Sequence, residues 1–221
     1  MRFLRNSLFI LSISLAGLGS ISAQTHDISS GGLPTITGSR GGSVTGSSVT
    51  TNDLNVTVNW GEISPANTNG IVTVTVPIAI RSLAAYQIAV AVTGGTNANL
   101  QGLQKSDIGF GLKRSFQQMG ANSQNCTKST DVFNPAITAD PTVGTSIDAA
   151  GRVKYVSSLN TITGSTVILN GPQLSIGSAG RRTDNGWIIT VVFAVTPQFY
   201  ASGITTTTVT FTIGSGPLLV C

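Results

Sequence analysis

Apolar residues recur at every second position over five stretches of the chain. Leu54, Val56, Val58 and Trp60 alternate with polar neighbours, and Val72, Val74, Val76, Ile78 and Ile80 alternate with Thr73, Thr75, Pro77 and Ala79. Tyr86, Ile88, Val90 and Val92 follow after a short break. Near the end come Trp187, Ile189, Val191, Phe193 and Val195, then Thr207, Val209, Phe211 and Ile213. A period of two built from β-branched and aromatic residues marks strands with one buried face. Turn clusters such as Asn67-Thr68-Asn69-Gly70 and Gly94-Gly95-Thr96-Asn97 separate them. Weaker strand patterns lie at 153–156, 166–169 and 173–176. Roughly eight strands without a long helix predict an all-β, two-sheet antiparallel sandwich. Only 103–119 has room for a short helical turn. Pro77 cannot donate to a central ladder, so its strand is expected at an edge or a bulge.

The pattern fails at the N-terminus, in two different ways. Arg2 and Arg5 precede an apolar run from Leu8 to Leu18, and small residues follow at Ser20, Ser22 and Ala23. That is the layout of a secretory signal peptide over 1–23, with cleavage between Ala23 and Gln24. A membrane anchor is the competing reading, but the run is shorter than the roughly 20 residues a span needs. No later stretch reads as a transmembrane helix. The expected location is therefore secreted or cell-surface. Residues 24–52 are dominated by Gly, Ser and Thr, as in Ser29-Ser30-Gly31-Gly32 and Gly38-Ser39-Arg40-Gly41-Gly42-Ser43. With few large apolar residues, they read as a disordered, flexible arm. A phosphate cradle is disfavoured, because no Gly-Lys-Ser/Thr stands in a strand–loop–helix context. The sandwich is assigned to 53–213 and a C-terminal tail to 214–221.

Charge narrows the function classes. Lys and Arg number 12 against 8 Asp and Glu, and charged residues are only 9% of the chain. Hydrophobic residues make up 40%, enough for a core, so the low charge does not signal general disorder. Without Arg2 and Arg5 the balance falls to ten basic against eight acidic residues. The remaining cations are scattered, with Lys113-Arg114 and Arg181-Arg182 as the only pairs. No basic stripe with interleaved aromatics appears, so nucleic acid is not an expected partner.

Catalytic and ligating groups are scarce. The single histidine, His26, falls in the arm and is expected to be exposed there. A Ser–His–Asp or Cys–His arrangement needs a placed base, so no catalytic residue is assigned. A carboxylate pair would have to come from Asp53, Glu62, Asp107, Asp131, Asp140, Asp148 and Asp184. Most of these sit beside Gly, Asn, Pro or Ser, as turn aspartates do. Calcium would draw on Asp131, Asp140 and Asp148, but no Asp-x-Asp-x-Asp spacing occurs. No metal or cofactor is expected, and the chain does not read as an enzyme. Cys126 and Cys221 are the only thiols. In an oxidising compartment an intramolecular disulfide between them is expected. Two free thiols, or an intermolecular bond through Cys221, are the alternatives.

Two phrases carry a family resemblance. The stretch 72–92 contains Ser82-Leu83-Ala84-Ala85-Tyr86-Gln87-Ile88 between two strand patterns. It resembles the Ser-Asn-x-x-Tyr-x-Leu corner of the spore-coat-protein-U and related fimbrial, pilin-like families, with Leu83 where Asn is usual. The ending 197–213 is similar to their Pro-Gly-x-Tyr-x-x-Thr-Val-x-Val terminal strand, with Gly203 after Tyr200 instead of before it. The resemblance covers about a third of the chain after the leader and leaves 94–185 unmatched. It implies an Ig-like or pilin-like sandwich, exported and built into a surface structure.

Two non-enzymatic functions follow as expectations. One is a structural or adhesive subunit of a filament or coat, with like subunits or other surface proteins as partners and strand addition as the means. The other is an extracellular carbohydrate-binding module that stacks glycans on exposed aromatics. Trp60, Trp187, Tyr86, Tyr155 and Tyr200 are the candidates, although Trp60, Trp187 and Tyr86 are in phase with the apolar face.

Overall fold

The computed structural model describes residues 25–48, 50–66, 70–119, 132–133, 140–142, 144–174, 186–201, 203 and 205–219. They form an antiparallel sandwich, as the alternation predicts. One sheet contains β5 (Val72–Ser82), β12 (Gly186–Val195) and β7 (Gly109–Met119) in that order. Two short strands, β1 (His26–Ser30) and β2 (Thr35–Thr37), share the far side of β5. The other sheet runs β3 (Ser43–Ser47), β4 (Asp53–Asn59), β13 (Thr206–Ser215), β6 (Tyr86–Gly94), β11 (Thr166–Gly171) and β8 (Val132–Phe133). A separate two-stranded ribbon pairs β9 (Ser146–Ile147) with β10 (Val153–Lys154).

The predicted apolar faces meet between the sheets. Leu54, Val56 and Val58 of β4, Val90 of β6, and Val209 and Phe211 of β13 face Val74, Ile78 and Ile80 of β5 and Ile189, Val191 and Phe193 of β12, all buried. Phe110 and Phe193 stack at a tilt, their ring centroids 5.5 Å apart. Each such side chain contributes about 1.5–3 kcal/mol when fully withdrawn from water. In β12 the burial is almost continuous, because Val192 and Ala194 on the outer face are covered as well. Tyr155 helps to cover this face: a Cβ on Gly109 would lie 2.7 Å from its ring, so glycine is needed there.

The expected arm over 24–52 is corrected from His26 onward. β1 pairs with β5 from His26↔Ser82 to Ser30↔Ile78, β2 pairs with β5 at 73–75, and β3 lines β4 from Ser43↔Asn59 to Ser47↔Asn55. Ile28 belongs to the core. A strand that docks on a preformed edge gains its main-chain hydrogen bonds from the partner, so few apolar residues of its own suffice. Composition alone missed this. The sandwich accordingly starts near residue 26, and its last strand runs two residues past the expected boundary, to Ser215.

Pro77 sits neither at a free edge nor in a bulge of β5. The N–H and C=O of one residue in an antiparallel strand point to the same side. The Pro77 carbonyl accepts from Gly31 N–H at 2.9 Å, so the missing donor faces the gap where β1 ends and β2 has not begun. The ladder to β12 loses nothing. The region 103–119 holds a single 3-10 turn, Lys105–Asp107, and then the eleven residues of β7. Of the weaker patterns, 166–169 lies in β11 and 153–154 forms β10, whereas Gln173 and Leu174 are in no strand.

Candidate functional site

Of the sequence-predicted acids, Asp107 and Asp148 share Lys154 as an ion partner, while Asp53 and Asp140 each serve a local turn. Asp140 caps a turn through Thr142 N–H and hydroxyl at 2.9 and 2.7 Å, and these bonds hold its carboxyl below the usual range. Asp148 accepts from Arg152 N–H at 2.8 Å and Ala150 N–H at 2.9 Å; with Arg152 and Lys154 beside it, its pKa is also lowered. Asp53 receives Thr50 N–H and hydroxyl. Asp107 differs, because it is fully buried. It accepts from Gln104 N–H at 2.9 Å and pairs with Lys154, tying the 3-10 turn to β10. Asp131, Asp184, Arg181, Arg182, Cys126 and Cys221 lie outside the described residues, and the expected disulfide with them. Among the described residues, no three His, Cys, Asp or Glu side chains gather where they could hold a metal ion.

His26 is not an exposed arm residue. It is only 8% exposed, at the point where β1 meets both sheets. Its Nδ1 lies 2.8 Å from the Ser82 hydroxyl and its Nε2 3.2 Å from the Ser215 hydroxyl. The Ser82 hydroxyl donates to the Ala84 carbonyl at 2.6 Å, so it accepts from Nδ1–H, and the Ser215 hydroxyl then donates to Nε2. This is a neutral imidazole held between two serines. The nearest charges in the ladder, Asp27 and Arg81, pair with each other at 3.6 Å. Burial lowers the His26 pKa from its ordinary value of 6.5. The unfolded chain therefore takes up the proton first as pH falls. Stability from this site is complete above the ordinary value and is lost as pH drops from there through the depressed folded value. Urea midpoints should fall between pH 7 and about pH 5 in the native chain and stay flatter in His26→Gln. Equal slopes in the two proteins would remove His26 as the cause.

The aromatic candidates resolve into core and rim. Trp60, Trp187 and Tyr86 are at most 2% exposed and so cannot serve as stacking platforms. The Trp60 indole N–H donates to the Thr207 hydroxyl at 2.8 Å. Tyr155 is buried, with its hydroxyl 2.7 Å from that of Thr196. Tyr200 is half-buried, donates to the Thr196 carbonyl at 3.3 Å, and has its pKa raised by burial. Phe199, which the strand pattern did not single out, is 85% exposed.

Tyr200 lines a groove of about 470 Å³, together with Asn59, Trp60, Glu62, Leu103 and Thr205. Its walls are fixed by the backbone. Trp60 N–H donates to the Thr205 carbonyl at 3.1 Å, and Glu62 and Arg40 exchange main-chain bonds at 2.9 and 3.3 Å. Gly61 has φ +62°, and a Cβ there would meet the Arg40 carbonyl and Gly42 nitrogen at 2.5 Å, so glycine permits this closure. Leu103, which also lines the groove, directly follows the loop 97–102. The Gln104 amide donates to the carbonyls of Asn97, Asn99 and Gly102, and Ala201 N–H joins the loop to the Tyr200 segment at 3.0 Å.

Strand register gives the sandwich two distinct ends. Asn59↔Thr206, Gly94↔Thr207 and Val72↔Val195 place the groove at one of them. His26↔Ser82 and Tyr86↔Ser215 define the other. There Leu83 N–H bonds the Thr25 carbonyl and Gly216 N–H bonds the Ala85 carbonyl, so the first and last described strands flank one corner. Compared with protein-family models, curated proteins and solved structures, the chain matches none of them.

Proposed function

We propose that the chain is an exported, non-catalytic subunit of a surface filament or coat, assembled by exchange of its N-terminal strand between copies. The observation that carries this reading is the position of β1. It is a five-residue edge strand at the start of the sandwich, joined to β5 along Ser82 to Ile78 and inserting Ile28 into the core. The same register on β5 of a neighbouring copy would satisfy the same bonds, which makes exchange a low-cost route to assembly. The leader over 1–23, the scarcity of acid–base groups and the corner at 82–88 support the same reading.

Cross-linking tests it. Ser29 and Ala79 face each other across β1 and β5. With Ser29→Cys and Ala79→Cys in one chain, exchange should give a ladder of covalent multimers on non-reducing electrophoresis of exported material, beyond any seen without the two substitutions. Cross-linked monomers alone would overturn strand exchange.

A further inference from the structure

We propose that Lys154 and Asp107 join through an intramolecular isopeptide bond, which ties the ribbon β9–β10 covalently to the turn that leads into β7. The proposal is independent of strand exchange, because neither residue belongs to β1 or β5.

The reacting groups are already together. The Lys154 amine touches the Asp107 carboxylate. Asp107 is fully buried, while the Lys154 side chain is 21% exposed. A buried ion pair carries the desolvation cost of two charges, and an amide in the same place carries none. In bulk water an amine and a carboxylate do not condense. Held in contact by a fold, they gain an effective molarity of the order of 10⁵–10⁸ M. The ribbon itself pairs over only two residues, so a covalent tie holds it where its short ladder cannot.

The surroundings supply the remaining parts. Asp107 turns its two oxygens to different partners: Oδ1 faces Lys154, and Oδ2 accepts the Gln104 N–H at 2.9 Å. That N–H stabilises negative charge on Oδ2 when the carbon becomes tetrahedral. Lys154 Nζ also donates to the Ser106 hydroxyl at 2.9 Å, which holds the amine beside Asp107. Asp148 Oδ2 lies 3.8 Å from the same nitrogen and is the proton carrier. Its carboxylate is fixed by the Ala150 and Arg152 N–H groups at 2.9 and 2.8 Å.

The step balances without a co-reactant. One proton passes from Nζ to Oδ1 along their hydrogen bond, leaving a neutral amine beside a neutral acid. The Nζ lone pair then attacks Asp107 Cγ, and charge gathers on Oδ2. Asp148 takes a second proton from Nζ and delivers it to Oδ1 as the Cγ–Oδ1 bond breaks. Oδ1 leaves with both protons as water. Asp148 is again a carboxylate, and Oδ2 remains as the amide oxygen under the Gln104 N–H.

Peptide mapping of the full exported chain, reduced and unfolded before digestion with trypsin, tests the bond. Trypsin does not cut after an acylated lysine, so condensation joins 106–113 to an uncut 153–181. This branched peptide, one water lighter than its two parts together, is expected in place of free 106–113. Lys154→Arg keeps the cation without an amine and should release 106–113 unmodified. In a pulse-chase, Asp148→Asn should slow the appearance of the branched peptide by roughly a hundredfold, the scale of a lost proton carrier. Neither variant should change the cross-linked ladder, so failure of this bond and failure of strand exchange are read separately. Free 106–113 together with cleavage after Lys154 in the native chain would reduce the contact to an ion pair and overturn the proposal. An undiminished rate in Asp148→Asn would overturn the mechanism.

Discussion

Removing residues 25–52 should abolish cooperative folding. The Gly, Ser and Thr content of this segment suggests a dispensable arm, but the structure assigns it three strands and one core side chain. Ile28 is fully buried, and loss of a buried isoleucine side chain alone is worth about 2–5 kcal/mol. Total stabilities are of the order of 5–15 kcal/mol, so this term already threatens the fold. The deletion also strips β1 and β2 from β5 and β3 from β4, leaving unpaired main-chain groups on one edge of each sheet. It removes the Ser39 hydroxyl from the Trp60 carbonyl and the Arg40–Glu62 pair, which fix the turn after β4. The truncated chain should show no sigmoidal thermal transition by circular dichroism and poor NMR dispersion. A cooperative melt close to that of the full chain would make the three strands accessory.

How far the fold is legible depends on where each strand's stabilisation comes from. β4, β5, β6, β12 and β13 bury alternate residues of their own, so period-two patterning reveals them. β1, β2 and β3 have few apolar side chains and form because β5 and β4 present edges to them. That is a tertiary property and leaves no periodic trace. His26 shows the same limit. Its type is visible in the sequence, but the two serines that bury it stand 56 and 189 residues away. The groove was still less legible. Thr205 and Asn59 are ordinary β-sheet residues until the pairing of β4 with β13 brings their ends together. The aromatic reading succeeded where phase was informative, for Trp60, Trp187 and Tyr86. It missed Phe199, which lies outside any strand.

Phe211→Ala should produce the largest loss of stability from a single substitution in β13. This strand lies between β4 and β6, with Phe211 opposite Leu54 on one side and Val90 on the other. Both neighbours are buried, and Phe211 itself is fully buried. Truncation removes a whole ring from the middle of a sheet whose backbone is hydrogen-bonded on both sides and cannot collapse into the space. Such a change costs about 3–5 kcal/mol, from lost transfer energy together with the cavity that remains. For a domain of this size that corresponds to a fall in melting temperature of the order of 10 °C. The next residue supplies the control. Thr212 pairs with Asp53 and Ala89 but points outward and is exposed, so Thr212→Ala should stay within about 0.5 kcal/mol. Urea unfolding of the two variants measures the contrast directly. Losses of equal size at 211 and 212 would mean that the inward face of β13 had been assigned to the wrong parity.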